Sequence, residues 1–129
     1  VKLSWEALTI DARDPSACAH WWAETLGWEV VSETSAGVEV RCPGSATASL
    51  FFVPVTDEKI TKNRLHLDLY AEDQAAAVEQ LRARGAERVD IGQGEDADCV
   101  VLRDPEGNEF CLLEPREGAD TIDPEEHRA

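Results

Sequence analysis

The residues able to do chemistry concentrate in one stretch, Asn63-Arg64-Leu65-His66-Leu67-Asp68-Leu69-Tyr70-Ala71. Leu65, Leu67 and Leu69 alternate with Arg64, His66, Asp68 and Tyr70, and this period of two predicts a strand over 63–71. The leucines then share one face. A guanidinium, an imidazole, a carboxylate and a phenol share the other. His66 and Asp68 stand about 6–7 Å apart along that face, two residues of strand rise. An imidazole beside a carboxylate suits a general base oriented by its neighbour, or a donor pair for a bound ligand. The plainer reading is a polar histidine satisfied by Asp68, water or a backbone group.

Other candidates lie on neighbouring strand patterns. Arg103 shares parity with Cys99 and Val101, and Cys111 shares parity with Glu109. A nucleophilic Cys111 needs a lowered pKa; otherwise it is a small core residue. Trp5 and Phe51 suit either an aromatic wall or ordinary packing.

The elements that must position these residues follow from caps, turns and periodicity. A first strand is expected over 4–12, with Leu8, Ile10 and Ala12 on one face and Trp5, Ala7 and Thr9 on the other. Asp14-Pro15 opens a helix, Asp as N-cap and Pro at the first helical position. Cys18, Trp22 and Leu26 make its buried stripe, and Gly27 ends it as a left-handed cap. Strands are expected over 28–33, 37–42 and 49–55. The polar run 56–62 separates two halves. In the second half Asp73 caps an alanine-rich helix over 74–84 that buries Ala77, Val78 and Leu81. Strands over 88–91, 98–103 and 109–114 follow, the last two joined by the hairpin Asp104-Pro105-Glu106-Gly107-Asn108. From Arg116 the chain is acidic and poor in apolar residues, as expected of a loose tail.

A shift of 59 positions lays Leu67-Asp68-Leu69 on Leu8-Thr9-Ile10 and Asp73 on Asp14. The organisation is strand, helix, three strands, twice. Such a duplication constrains the fold more than any single motif.

Two βαβββ units in a chain of this length resemble the vicinal oxygen chelate superfamily, which includes glyoxalase I, extradiol dioxygenases and bleomycin-resistance proteins. Trp22-Ala23-Glu24-Thr25-Leu26-Gly27 resembles its first-helix ending. Lys62-Asn63-Arg64-Leu65-His66-Leu67-Asp68-Leu69 resembles the fifth strand of an actinobacterial glyoxalase-like subgroup. Asp104-Pro105-Glu106-Gly107-Asn108-Glu109-Phe110 resembles its last hairpin. The resemblance spans about residues 4–115. It implies an α+β fold, with two tandem βαβββ units forming a curved mixed sheet around a cleft and helices on the outer face. One domain over 1–129 is expected, with units 4–55 and 63–115 and a tail 116–129. The resemblance also implies a homodimer.

Metal-dependent members hold a divalent ion with one ligand on each of the first, fourth, fifth and eighth strands. Carried over, those positions are Ala7, Val53, His66 and Cys111. Only His66 matches the usual ligands, so no metal and no cofactor is expected, and metal-dependent glyoxalase or dioxygenase chemistry is disfavoured. The expected function is binding or sequestration of a drug or metabolite in the cleft. The lining expected for it is Trp5, Phe51, Val53, Arg64, His66, Arg103 and Cys111. A second reading is a metal-independent isomerase or lyase, with His66 as general base and Asp68 or Arg64 orienting it. A third is a non-catalytic domain serving a partner protein.

Bulk properties narrow the partners. A net charge of −15 repels phosphate backbones, so no nucleic-acid partner is expected, while a cationic small molecule is tolerated. No apolar run is long enough for a membrane span. Cys18, Cys42, Cys99 and Cys111 form no C-x-x-C pair. Reduced, mostly buried thiols and a cytoplasmic location are expected.

Overall fold

The computed structural model describes residues 1–89 and 99–115. The chain divides into two compact units. One comprises Val1–Lys62 with Asp104–Asn108, the other Asn63–Arg103 with Glu109–Ala129. Each holds a four-stranded mixed sheet and one helix.

In the first unit, β1 (Ala7–Ala12) runs parallel to β4 (Ser49–Pro54). β3 (Gly37–Arg41) pairs antiparallel with β4 and with β2 (Glu29–Thr34). The sheet order is β1-β4-β3-β2. The register places Leu50 beside Leu8 and Val40, and Phe52 beside Ile10 and Val38. This face packs under α1 (Pro15–Leu26), whose Cys18, Trp22 and Ala19 are buried. Burying Phe52 alone stabilises the unit by about 2–3 kcal/mol. The caps of α1 are as expected. Asp14 accepts from the Ala17 backbone N–H, Pro15 opens the helix, and Gly27 takes φ 68°. Trp21 meets Trp22 edge to face, ring centres 5.0 Å apart. The expected first strand begins late: Trp5 precedes β1 and is 75% exposed.

In the second unit, β5 (Asp68–Tyr70) runs parallel to β8 (Glu109–Leu113). β8 pairs antiparallel with β7 (Cys99–Arg103), and β7 with β6 (Glu87–Arg88). The order is β5-β8-β7-β6. Leu102, Phe110 and Leu112 are almost fully buried on one face. α2 (Gln74–Ala83) packs on β8 through buried Val78 and Leu81, and the Gln74 amide donates to the Leu112 carbonyl at 2.9 Å. Asp73 caps α2 by accepting from the Ala76 N–H.

The strand expected over 63–71 is a correction. Only Asp68–Tyr70 pair as a strand, and Leu65 is 80% exposed instead of sharing an apolar face with Leu67 and Leu69. At Asn63 side-chain bonds stand in place of the ladder. The Glu109 carboxylate accepts from the Asn63 N–H at 3.1 Å, and the Asn63 amide donates to the Glu109 carbonyl. The strand expected over 88–91 lies partly, and the acidic tail wholly, outside the described residues.

Candidate functional site

Laterally paired residues in a sheet share a face. In the second unit Asp68 pairs with Cys111, Cys111 with Val101, Cys99 with Leu113, and Arg103 with Glu109. Asp68, Cys99, Arg103, Glu109 and Cys111 therefore stand together, on the face opposite the buried Leu102, Phe110 and Leu112. His66 joins them from the segment preceding β5, which the Cys111 N–H holds by donating to the Leu67 carbonyl at 2.9 Å.

The imidazole Nδ1 of His66 lies 2.9 Å from Oδ1 of Asp68, and both side chains are open to solvent, at 37% and 53%. Donor atoms of His66, Asp68 and Cys111 all lie within 4.8 Å of one another. Cys111 is buried, with its thiol beside the Asp68 carboxylate and diagonal to Cys99 across the β7–β8 pair. Burial pushes this thiol up to about 11, and the neighbouring Cys99 and Asp68 add to the shift. A nucleophilic cysteine needs the opposite shift, so Cys111 is not an activated thiolate.

Arg103, half-buried, lies opposite Glu109 on the same face. Arg64 is exposed. Three further candidates belong to the first unit. Trp5 is largely exposed, while Phe51 and Val53 are half-buried on β4, beside Thr9 and Asp11 respectively.

Two features escaped the sequence reading. Cys99 stands diagonal to Cys111, a relation that the hairpin register contains once Arg103 is placed opposite Glu109. Asp104, read as a turn residue, is a buried hub of the first unit. Its Oδ2 accepts from the Trp22 indole at 2.9 Å, and its Oδ1 accepts from the backbone N–H groups of Glu106 and Asn108, each at 2.9 Å. The signal available for it was that a buried indole N–H requires an acceptor.

Residues 7–113 match the glyoxalase-like domain family. The chain belongs to that family. No functionally curated protein matches it significantly. Among solved structures it is similar to a member of the glyoxalase/bleomycin resistance protein/dioxygenase superfamily from Sphaerobacter thermophilus. That match has 22% identity and TM-score 0.61, covering 88% of this chain and 98% of that one. It is also similar to an antibiotic-binding protein of Streptomyces, at 18% identity and TM-score 0.58, covering 89% and 98%. A third similar structure is the trypanothione-dependent glyoxalase I of Leishmania major, at 16% identity and TM-score 0.64, covering 93% and 89%. At these identities the likeness shows the fold.

The glyoxalase-like fold permits a test of the superfamily's metal centre against this chain's donors. In the second unit Asp68 pairs with Cys111; in the first, its counterpart Thr9 pairs with Phe51. The fourth-strand position is thus Phe51 and not Val53, a slip of two residues that keeps the face. Neither side chain has a donor atom, and neither does Ala7. The residues do not fit a four-ligand centre.

Proposed function

We propose that this glyoxalase-like protein binds a small organic molecule on the polar face of its second unit, without the superfamily's four-ligand metal chemistry. The observation carrying this reading is the solvent-open His66–Asp68 pair at 2.9 Å, set beside the buried Cys111. The pair offers a hydrogen-bond donor and an anionic acceptor, and the half-buried neighbours offer apolar contact. Asp68 and the net charge of −15 favour a cationic ligand. The antibiotic-binding relative supports a drug-like one. In the same reading the chain acts as a single-domain homodimer in the cytoplasm. The likeness of Lys62–Leu69 to the actinobacterial subgroup points to ligands met there. The test is a thermal-shift and calorimetric screen of cationic and aromatic antibiotics in EDTA. A hit weakened about tenfold or more by His66→Ala or Asp68→Asn supports the site. Hits indifferent to both variants sink it.

A second reading rests on the orientation of the same pair. With Nδ1 engaged by Asp68, the other ring nitrogen remains available as a general base for a metal-independent isomerase or lyase. Turnover abolished by His66→Ala in a folded protein would favour it.

A further inference from the structure

The stretch Val1-Lys2-Leu3-Ser4-Trp5-Glu6 alternates apolar and polar side chains with a period of two, the pattern of a strand. It runs directly into β1, yet among the described residues it pairs with no strand. Leu3 and Trp5 stand 89% and 75% exposed. We propose that this stretch pairs antiparallel with the same stretch of a second copy of the chain, about a two-fold axis at Ser4. The inference rests on the homodimer of the proposed reading and gives it an interface.

β1 outruns its neighbour. The parallel register begins with Ala7 opposite Ser49, and the residues before Ser49 turn on themselves, the Ser45 hydroxyl accepting from the Thr47 N–H at 3.0 Å. β4 therefore cannot take the backbone donors and acceptors of residues 1–6. β1 is also the outer strand of its sheet, so its far edge is open along the same line. An open edge that carries apolar side chains is a template for strand addition.

The side chains choose the occupant. With Ser4 of one copy opposite Ser4 of the other, Lys2 faces Glu6 and Leu3 faces Trp5, each pair occurring twice, and Val1 faces Ala7. The opposite charges then share one face with the serines. The apolar pairs share the other face, continuous with Ala7 and Thr9 of β1. Pairs of both kinds stabilise an antiparallel ladder. A slip of one residue sets polar side chains against apolar ones, and a slip of two parts Lys2 from Glu6. The contact is isologous, so association closes at two copies. Six residues a side make a small interface, and the dimer is expected to depend on concentration.

The test is sedimentation equilibrium of the full chain over a wide concentration range. Wild type should show a monomer–dimer equilibrium. Trp5→Ser should weaken it at least about tenfold. Lys2→Glu, which sets like charges face to face twice, should weaken it about tenfold at low ionic strength. Adding Glu6→Lys to Lys2→Glu should restore wild-type affinity. Ser4→Cys should cross-link to its own copy on mild oxidation, as mapped by peptide mass spectrometry. A dimer indifferent to Trp5→Ser and Lys2→Glu keeps the homodimer and overturns this interface. Charge exchange that fails to restore affinity overturns the register. A chain monomeric at every concentration overturns the interface and the homodimer together.

Discussion

The Trp22 indole donates to the buried carboxylate of Asp104 across 82 positions of sequence, at 2.9 Å. That bond anchors the Asp104–Asn108 turn on α1. The neighbouring Glu106 carboxylate reinforces it by accepting from the backbone N–H groups of Arg13 and Asp14 at 2.8 and 3.1 Å. Removing the Asp104 carboxylate strands the indole and two backbone donors. Asp104→Ala should therefore destabilise by about 3 kcal/mol, and Asp104→Asn, which keeps one acceptor, by about 1–2 kcal/mol. Urea denaturation checks both values. A neutral Asp104→Ala would show that the carboxylate is not a structural anchor.

The same group sets a pH dependence. Burial raises the Asp104 carboxyl above its ordinary 3.8, although the bonds from Trp22, Asn108 and Glu106 pull it down. A raised folded-state value means that the folded chain holds the proton more tightly than the unfolded chain. Its contribution to stability is fully present below 3.8 and is lost as pH rises through the raised value. Glu39, lowered by its bonds from Ser49 and Arg41, works in the opposite direction. Comparison with Asp104→Asn isolates the Asp104 effect. From about pH 7 to about pH 4 the stability difference should shift in favour of wild type. A difference that stays constant across that range contradicts the assignment.

What was legible in the sequence was local. Asp14, Pro15, Gly27 and Asp73 act within a few residues of themselves, so their caps could be read directly. Alternation gave the faces of β4 and β8 but not their register. A two-residue slip preserves a face, which is why Val53 stood where pairing puts Phe51. The leucine alternation overstated β5 because a strand extends only where its partner is free to pair. Near Asn63, Glu109 of the neighbouring strand β8 engages the chain through its side chain instead. The His66–Asp68 pair was visible as a spacing, and the diagonal Cys99–Cys111 placement required the hairpin register. The Trp22–Asp104 bond is tertiary and left no local trace.

Gly37 opens β3 at φ 155°, and a side chain there has no room. An added Cβ would meet Phe51 Cζ at 2.7 Å and the Phe52 carbonyl oxygen at 2.8 Å. The phenyl ring can turn aside, but the backbone oxygen is fixed in the β3–β4 ladder. Gly37→Ala should cost about 2 kcal/mol or more. A melting temperature equal to wild type would show that the sheet yields here.

The cysteines should separate by reactivity. Burial, with Asp104 and Glu106 nearby, pushes the Cys18 thiol well above its ordinary value, and Cys111 rises to about 11. Near pH 7.5 a thiol of that value is only about 0.03% thiolate. Cys42 and Cys99 are half-buried. Iodoacetamide should therefore label Cys42 at least about a hundredfold faster than Cys18 or Cys111, as followed by peptide mass spectrometry. Labelling of Cys111 at the rate of Cys42 would mean that its thiol is open and ionised.

The His66–Asp68 pair should matter for binding and hardly at all for folding. Both side chains are substantially exposed, so water screens their attraction, and such pairs contribute about 0–1 kcal/mol. His66→Ala and Asp68→Asn should each melt within a few degrees of wild type. A residue that holds a fold together loses function and stability together when truncated; a residue that meets a ligand loses only the first. If ligand affinity falls about tenfold in both variants while the melting temperature holds, the pair belongs to the binding face. If His66→Ala unfolds the second unit, the imidazole is a structural element and the binding face must be sought elsewhere.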